Sequence, residues 1–162
     1  TQTPQNTQQN VAAALGIAKE NVTVNVTLLG GAFGRKSKAD FSIEAALLAK
    51  YTGKPVKVIW SREDDIRQGY YHSISSQYFE AGLTADNMVN AWIQRTAFPS
   101  ISWTFDGATD EPSDGELILG FGAMPFTVAN LSCETHNAPA HIRIVWVRSV
   151  CNIQHAFAQG SF

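Results

Sequence analysis

The sequence has little of what marks a disulfide-rich, nucleic-acid-binding or membrane-spanning protein. Two cysteines, Cys133 and Cys151, are too few for a disulfide scaffold and lack metal-site spacing, although a single disulfide between them stays open. Only 16% of the residues are charged, the formal net charge is −2, and no cluster of lysine and arginine would attract nucleic acid. No apolar run approaches the roughly 20 residues that cross a bilayer. The four histidines are scattered, so no zinc site is expected.

What is present suits a globular chain with a real core. The sequence has 162 residues, of which 44% are hydrophobic, and 12 glycines. We expect one domain over residues 1–162. Because the chain starts without Met and Gly160-Ser161-Phe162 carries no terminating signal, we also expect a fragment of a longer polypeptide.

The most informative stretch is the loop Gly30-Gly31-Ala32-Phe33-Gly34-Arg35. Three glycines in five positions let the backbone adopt positive φ and approach a ligand closely. Successive N–H groups in such a turn can form a cradle for an anion. Phe33 is hard to bury in so short a loop, which suggests an aromatic wall beside a planar ligand.

Two phosphate-binding motifs do not fit this loop. Arg35 stands between Gly34 and Lys36, so the P-loop spacing fails, and Leu29 occupies the position where a dinucleotide motif needs its first glycine. The structural alternative is a plain tight connection between a strand and a helix, with Phe33 in the core.

The first half of the chain shows strong local signals. Thr3-Pro4 predicts the start of a helix that Gly16 ends, and Asp40 starts a second helix that Gly53 and Pro55 end. Strict alternation predicts a half-buried strand over residues 21–28, and a short strand is expected over 56–60. Ser61-Arg62-Glu63-Asp64 resembles a capping box, so its acidic residues are attributed to a helix start instead of a metal site.

The second half predicts a mixed pattern. A hairpin is expected over residues 78–83 and 88–98 around Asp86-Asn87, and a long irregular loop over 99–125. Two strands over 128–134 and 141–147 and a helix over 152–162 follow. The fold class is therefore α+β.

Three motifs together resemble a known family. They are Leu28 to Lys36 (LLGGAFGRK), Val58 to Ile66 (VIWSREDDI) and Trp146 to Val150 (WVRSV), followed by Ala156-Phe157. In this order and spacing they resemble the molybdopterin-binding large subunit of the xanthine dehydrogenase and aldehyde oxidase family. The nearest branch is the isoquinoline oxidoreductase β subunit, also known as a molybdopterin-binding aldehyde dehydrogenase.

The resemblance implies a two-layer α+β domain of mixed sheet and packed helices within a larger molybdenum-cofactor-binding subunit. It implies molybdopterin with molybdenum, in the cytosine dinucleotide form, and iron–sulfur clusters on a partner small subunit. The implied activity is hydroxylation of an aldehyde or N-heterocycle with oxygen from water. The remaining partner is the rest of the same subunit. For localisation, the resemblance slightly favours the periplasm over the cytoplasm.

The resemblance also assigns site residues. Gln2 matches a glutamine that contacts the metal's oxo ligand. Gly30, Gly31, Phe33, Gly34 and Arg35 match the loop at the cofactor, where Phe33 is the aromatic wall beside the substrate. Arg148 matches an arginine that steadies charge developing on the substrate. No metal ligand is assigned to the chain itself.

Two departures limit these expectations. Ser37 stands where the xanthine dehydrogenase branch has a purine-binding glutamate, so purines are not expected as substrates. The family's catalytic glutamate has no equivalent stretch here, so the fragment is expected to fold without catalysing. The alternatives are a non-catalytic interaction domain that kept the fold, or an anion-binding module that uses Arg35 and Lys36.

Overall fold

Residues 1–107 and 110–162 are described by the structure, a computed structural model. They divide into two compact units, residues 1–70 and residues 71–162. The expected irregular loop over 99–125 includes residues 108 and 109, which lie outside the described residues. No helix among the described residues is long and apolar enough to cross a membrane.

The first unit contains three α-helices that begin and end where local signals predict. They are α1 (Pro4–Leu15), α2 (Asp40–Thr52) and α3 (Arg62–Gln68). Gly16 and Gly53 adopt the left-handed conformation that ends α1 and α2. Ser61 and Asp64 form the predicted capping box of α3, which confirms that these acidic residues start a helix.

The two strands predicted in this unit are wrong for the described residues. Residues 21–28 and 56–60 belong to no sheet there. Apolar side chains of the alternating pattern are exposed, including Val26 at 56% and Leu28 completely. Alternation of apolar and polar residues indicates which side chains would share a face of a strand. A strand also needs a neighbouring strand, because its backbone N–H and C=O groups must be paired. No described segment supplies that neighbour.

The second unit is built on a mixed three-stranded sheet. Its strands are β1 (Ser76–Leu83), β2 (Val89–Phe98) and β3 (Asn130–Asn137), in the order β1-β2-β3. The predicted hairpin of β1 and β2 is antiparallel, with Asn87 at a φ of 63° in its turn, whereas β2 and β3 run parallel. The α+β class with a mixed sheet is therefore confirmed. The strand predicted over 141–147 is reduced to a single bridge between Tyr71 and Ile144.

The stretch predicted as an irregular loop is instead largely ordered. It contains α4 (Trp103–Asp106), α5 (Asp114–Leu117) and a π-helical turn over Ile118–Gly122. Ile101 and Phe121, at 0% and 4% exposure, lie in the core. Gly107 ends α4 in the left-handed conformation, whereas Gly115 lies within α5 and Gly120 and Gly122 lie within the π-helical turn.

Buried Glu116 organises this stretch. Its carboxylate accepts hydrogen bonds from the Ile101 N–H at 2.6 Å, the Ser100 hydroxyl at 3.1 Å, and both the N–H and hydroxyl of Ser113 at 2.9 and 2.8 Å. Burial raises the pKa of Glu116, but these hydrogen bonds outweigh it, so the pKa lies below its ordinary value. The charged carboxylate thus ties the segment after β2 to the start of α5.

A second polar cluster joins β2 to α6 (Asn152–Ser161), the last helix, which confirms the helix predicted there. The Gln159 amide donates to the Gln94 side-chain oxygen at 2.9 Å and to the Gly120 carbonyl at 2.7 Å. The Gln94 amide donates to the Phe121 carbonyl at 2.8 Å. Because Gln94 and Gln159 are buried, these paired amides fix where α6 and the π-helical turn meet the sheet.

His155 completes this cluster as a neutral ring. Its Nδ1 lies 2.9 Å from the Leu119 carbonyl and must donate, so Nε2 accepts from the Thr96 hydroxyl at 3.1 Å. Burial lowers the pKa of His155 below its ordinary value of 6.5, and the bond to Leu119 only partly opposes this. Both cysteines are free; buried Cys151 has a pKa raised to about 12 by burial, whereas Cys133 is exposed.

We expect the stability of this unit to fall as the pH drops from 7.5 to 5.5. The depressed pKa of His155 means that the unfolded chain binds more protons in this window, so acid favours unfolding by at most about 1.4 kcal/mol per pH unit. Urea unfolding should show a weaker pH dependence for His155→Gln than for the wild type. Exposed His136→Gln is the control and should keep the wild-type slope. Equal slopes for His155→Gln and the wild type would contradict the burial of a neutral histidine.

Candidate functional site

The backbone of the glycine loop adopts positive φ angles, which its glycines permit. Gly31, Phe33 and Gly34 all have positive φ, at 149°, 51° and 86°. A phenylalanine in the left-handed region costs about 1–2 kcal/mol, so the loop holds Phe33 there against its own preference. A Cβ at Gly31 would lie 2.7 Å from Cε2 of Phe33, so the ring lies directly over this glycine.

The glycine loop combines an exposed phenylalanine with backbone N–H groups that have no partner among the described residues. The side chain of Phe33 is 63% exposed, so the prediction that this ring stays out of the core is confirmed. The N–H groups of residues 31–34 donate no hydrogen bond to any other described residue, whereas the Arg35 N–H donates to the Ala32 carbonyl at 3.0 Å. Consecutive unpaired N–H groups in a positive-φ turn form a concave donor surface. The loop thus presents an aromatic ring and backbone donors together.

Gln2 lies beside this loop. Its N–H donates to the Lys36 carbonyl at 2.9 Å, and the Thr3 hydroxyl donates to the Ser37 carbonyl at 3.0 Å. Thr3 was expected to cap α1 with this hydroxyl, but the bond across to Ser37 replaces the cap. The Gln2 side chain is exposed and makes no hydrogen bond with the described residues. The structure therefore places Gln2 beside the glycine loop. The number of residues between them in the sequence does not predict this contact.

Arg35 is held by its neighbours within the first unit. Its two terminal nitrogens donate to the two carboxylate oxygens of Asp40 at 2.9 and 2.7 Å, and its guanidinium lies 4.9 Å from the Tyr70 ring centre. The hydrogen bonds to Asp40 raise the pKa of Arg35. This bidentate pair joins the end of the loop to the first turn of α2. The predicted role of Arg35 in cofactor binding stays a prediction.

A cleft of about 280 Å³ adjoins this anchor. It is lined by Arg35, Lys36, Asp40, Phe41, Glu44, Ala45, Val58, Trp60 and Asp65. The Trp60 indole N–H donates to the Glu44 carboxylate at 3.0 Å, so this wall of the cleft is fixed. Sequence reasoning missed Asp40, Glu44 and Trp60 as neighbours of the loop. The spacing of Asp40 and Glu44, one helical turn apart in α2, is the signal that could have placed both on one face.

Arg148 belongs to the second unit and is exposed. It makes no hydrogen bond or ion pair with the described residues. Ser149 and Val150 follow it with φ of 71° and 47°, and a β-branched residue at positive φ is a genuine outlier. Two residues before Arg148, the ring of Trp146 stacks on Phe105 with centroids 4.4 Å apart. In the sequence, Arg148 thus lies between the stacked indole of Trp146 and the strained turn at Ser149 and Val150.

The described residues contain no group of three or more histidine, cysteine, aspartate and glutamate side chains that could hold a metal ion.

Substituting Gly31 tests the loop geometry directly. We expect Gly31→Ala to destabilise the protein by about 1–2 kcal/mol, because the new Cβ meets the Phe33 ring and φ is unfavourable for an L-residue. Gly30→Ala is the matched control: its Cβ would meet nothing within 4 Å and its φ is not left-handed, so the change should stay within about 0.5 kcal/mol. Thermal unfolding measures both. Equal shifts in Tm would refute the described placement of the ring.

Comparison with known proteins identifies relatives for most of the chain. Residues 1–136 match the family model of the molybdopterin cofactor-binding domain. Over 171 aligned residues the chain is 29% identical to the isoquinoline 1-oxidoreductase subunit beta of Brevundimonas diminuta. This alignment covers 99% of this chain and 21% of that protein.

Two eukaryotic relatives are also similar. Aldehyde oxidase 3 of Mus musculus is 30% identical over 121 residues, covering 73% of this chain and 8% of that protein. Xanthine dehydrogenase of Dictyostelium discoideum is 36% identical over 94 residues, covering 56% of this chain and 7% of that protein. The chain therefore spans about a fifth or less of the length of these relatives.

Proposed function

Since the chain belongs to the molybdopterin cofactor-binding domain family, we propose that it is part of a molybdenum hydroxylase that oxidises an aldehyde or N-heterocycle with oxygen from water. The names of the relatives support this class, because they include an isoquinoline oxidoreductase and an aldehyde oxidase. The observation in the chain that carries the proposal is the glycine loop, which combines the exposed ring of Phe33 with N–H groups that have no partner among the described residues.

The residues present fit a molybdopterin cofactor. Residues 31–34 offer backbone donors with no partner among the described residues, and Gly31 leaves room that a side chain would fill. Such a surface suits the oxygen-rich edge of a cofactor, because backbone N–H groups approach closely and stay oriented without any side-chain motion. We propose that Gly30, Gly31, Phe33 and Gly34 form this contact.

When bound, the cofactor supplies the redox-active metal that accepts two electrons from the substrate. The chain's own residues bind and orient. The exposed ring of Phe33, which lies over Gly31, forms a flat wall against which a planar substrate stacks. Arg35 acts through Asp40 and Tyr70, which hold the end of the loop in place.

Gln2 and Arg148 complete the proposed assignments. The Gln2 backbone is tied to Lys36, and its side-chain amide, which has no partner among the described residues, would donate a hydrogen bond to the bound cofactor. Arg148 carries a positive charge that makes no ion pair with the described residues, which suits a group that stabilises negative charge developing on a substrate.

Purines are not among the substrates that we propose. Ser37 is only 8% exposed, and its hydroxyl donates to the Gly34 carbonyl at 2.5 Å. The side chain of Ser37 is short, is hydrogen-bonded within the loop and carries no charge, so it offers no charged group to a purine.

The larger assembly follows from the same proposal. We propose the cytosine dinucleotide form of the cofactor and an iron–sulfur small subunit that carries the electrons away. The remainder of the subunit would supply the catalytic base and further cofactor contacts, so residues 1–162 alone should be inactive. The small share of each relative that the chain covers supports this division.

Two other functions remain as competing hypotheses. An interaction domain that kept the fold without the cofactor is compatible with Ser37. An anion-binding module would use Arg35 and Lys36, but the bidentate pair with Asp40 leaves Arg35 poorly placed to release its terminal nitrogens to an anion.

The role of Phe33 can be measured in the full-length holoenzyme. Phe33→Ala should lower kcat/KM for aldehyde or N-heterocycle substrates at least about tenfold, or 1.4 kcal/mol, because the substrate loses its stacking wall. The Tm should change little, since the ring is exposed. The matched control is Tyr51→Ala, which removes a 90% exposed ring from the end of α2 and should leave kcat/KM unchanged. Wild-type kinetics for Phe33→Ala would count against the proposed wall.

Cofactor content separates the proposal from the interaction-domain alternative. The full-length protein, purified from its native host with its partners, should contain nearly one molybdenum per subunit and release a cytosine nucleotide on mild acid treatment. Elemental analysis and chromatography of the released nucleotide provide the two measurements. A folded protein without molybdenum and without nucleotide would instead favour the interaction domain.

A further inference from the structure

One segment of the first unit has the sequence of a strand but no strand beside it. Residues 22–28 contain no helix or turn, and Val22 has a φ of −110° and a ψ of 120°, which are typical of a strand. The start of the segment is fixed, because the side-chain amide of Gln8 in α1 donates to the Val22 carbonyl at 2.9 Å. The N–H and C=O groups of residues 23–28 make no hydrogen bond with any described residue. This row of backbone groups is therefore available to a neighbouring strand.

The apolar side chains of this segment are open over the same stretch. Val22 and Val24 are half-buried, whereas Val26 and Leu28, which follow on the same alternating face, are exposed. Apolar surface that stays in water gives up the stabilisation that burial would provide. A partner that covers Val26 and Leu28 would therefore be stabilising through their side chains as well as through backbone hydrogen bonds.

The segment also lacks the features by which proteins protect an exposed strand edge. Residues 21–29 contain no charged residue and no proline, which are the residues that normally prevent an edge from pairing with another strand. The other segment predicted as a strand differs, because residues 56–60 follow Pro55 and include Lys57. An unprotected edge is expected to be covered in the complete protein.

The remainder of the same subunit is the occupant that these observations favour. The described strands β1, β2 and β3 pair only with one another, so none of them covers the segment. The chain spans 21% of the isoquinoline 1-oxidoreductase subunit beta, so most of a subunit of that length lies outside residues 1–162. A strand from the same polypeptide also pairs without the translational and rotational entropy that association with a second chain costs.

We propose that residues 22–28 form a strand in the full-length protein by pairing with a strand from the part of the same subunit outside residues 1–162. This inference rests on the proposed function, which makes the chain part of a larger subunit. The segment leads directly into the glycine loop, so the pairing would fix the start of the loop, as the pair of Arg35 and Asp40 fixes its end. Docking of the remaining subunit would thus orient the N–H groups of residues 31–34.

Hydrogen exchange in the full-length protein tests the pairing. Alternate amides within residues 23–28 should exchange at least about a hundredfold more slowly than in an unstructured peptide of the same sequence, because the N–H groups on the paired edge are hydrogen-bonded. Exchange of every amide in this range at the rate of the unstructured peptide would overturn the proposal.

Two substitutions at adjacent residues separate the two faces of the proposed strand. Val26→Lys places a charge on the apolar face that the partner would cover, so the slow amides should exchange at least about tenfold faster. Thr27→Lys places the same charge on the opposite face and is the matched control, expected to keep the rates within about twofold of the wild type. Both side chains are exposed, so neither change should unfold the first unit itself. Unchanged protection in Val26→Lys, or equal losses in both variants, would contradict the proposal.

A photoreactive side chain identifies the occupant. Leu28, which is fully exposed, is replaced by p-benzoylphenylalanine in the full-length protein, and irradiation should attach it to a peptide of the same subunit outside residues 1–162. Mass spectrometry of the digest identifies that peptide, and the subunit should keep the mass of one copy on a denaturing gel. Attachment to a second copy, to the small subunit or only within residues 1–162 would refute the proposed occupant. The same probe at exposed Tyr51, near the end of α2, is the control and should not label that peptide.

These measurements do not depend on molybdenum. Protected amides in a protein without the cofactor would support the pairing while contradicting the hydroxylase function. A protein loaded with molybdenum whose residues 23–28 are unprotected would overturn the pairing alone.

Discussion

Pairing of buried polar groups is the constraint on which both units depend. In the second unit, the Glu116 carboxylate and the amides of Gln94 and Gln159 satisfy groups that would otherwise lose water without replacement. In the first unit, the half-buried Asp40 carboxylate pairs with the half-buried Arg35 guanidinium. Each of these hydrogen bonds fixes two segments relative to each other. The segments are either distant in the sequence or belong to different structural elements, such as a loop and a helix.

The exceptions to this pairing are therefore informative. The N–H groups of residues 31–34 have no hydrogen-bond partner among the described residues, and neither do the buried side-chain atoms Trp92 Nε1, Asn137 Oδ1, and Nε2 and Oε1 of Gln154. The loop groups differ from the four side-chain atoms in lying beside an exposed phenylalanine, Phe33. A protein tolerates an unpaired donor or acceptor most readily where a ligand completes it. The candidate site at the glycine loop thus rests on unpaired donors together with an exposed aromatic ring.

Sequence predicted the features that short-range chemistry determines. Gly16 and Gly53 end helices because only glycine adopts left-handed backbone without strain, and Ser61 caps α3 through a bond to its third neighbour. These signals lie within a few residues of the structure that they control. The same reasoning found the glycine loop, whose positive φ angles are likewise local.

What sequence could not predict depends on partners far along the chain. The alternation over residues 21–28 is strict, yet a strand forms only if another segment pairs with it, and no described segment does. The opposite error occurred over 99–125, where Glu116 orders a stretch without periodicity by bonding to Ser100 and Ile101. Such bonds leave no local pattern, because their geometry exists only after folding.

The candidate site shows the same division between local and distant effects. Phe33 was identified because a glycine-rich turn cannot cover a large ring, which is a local argument. Arg35 looked equally available in the sequence, but Asp40 lies within reach once α2 has formed, and its carboxylate accepts hydrogen bonds from both terminal nitrogens of Arg35. A residue's chemical type therefore suggests what it can bind, whereas its folded neighbours determine which of those groups remain free. Among the described residues of the first unit, the N–H groups of residues 31–34 and the side chain of Gln2 have no hydrogen-bond partner, and the ring of Phe33 is exposed, so a ligand at the loop would be held mainly by geometry and only secondarily by charge.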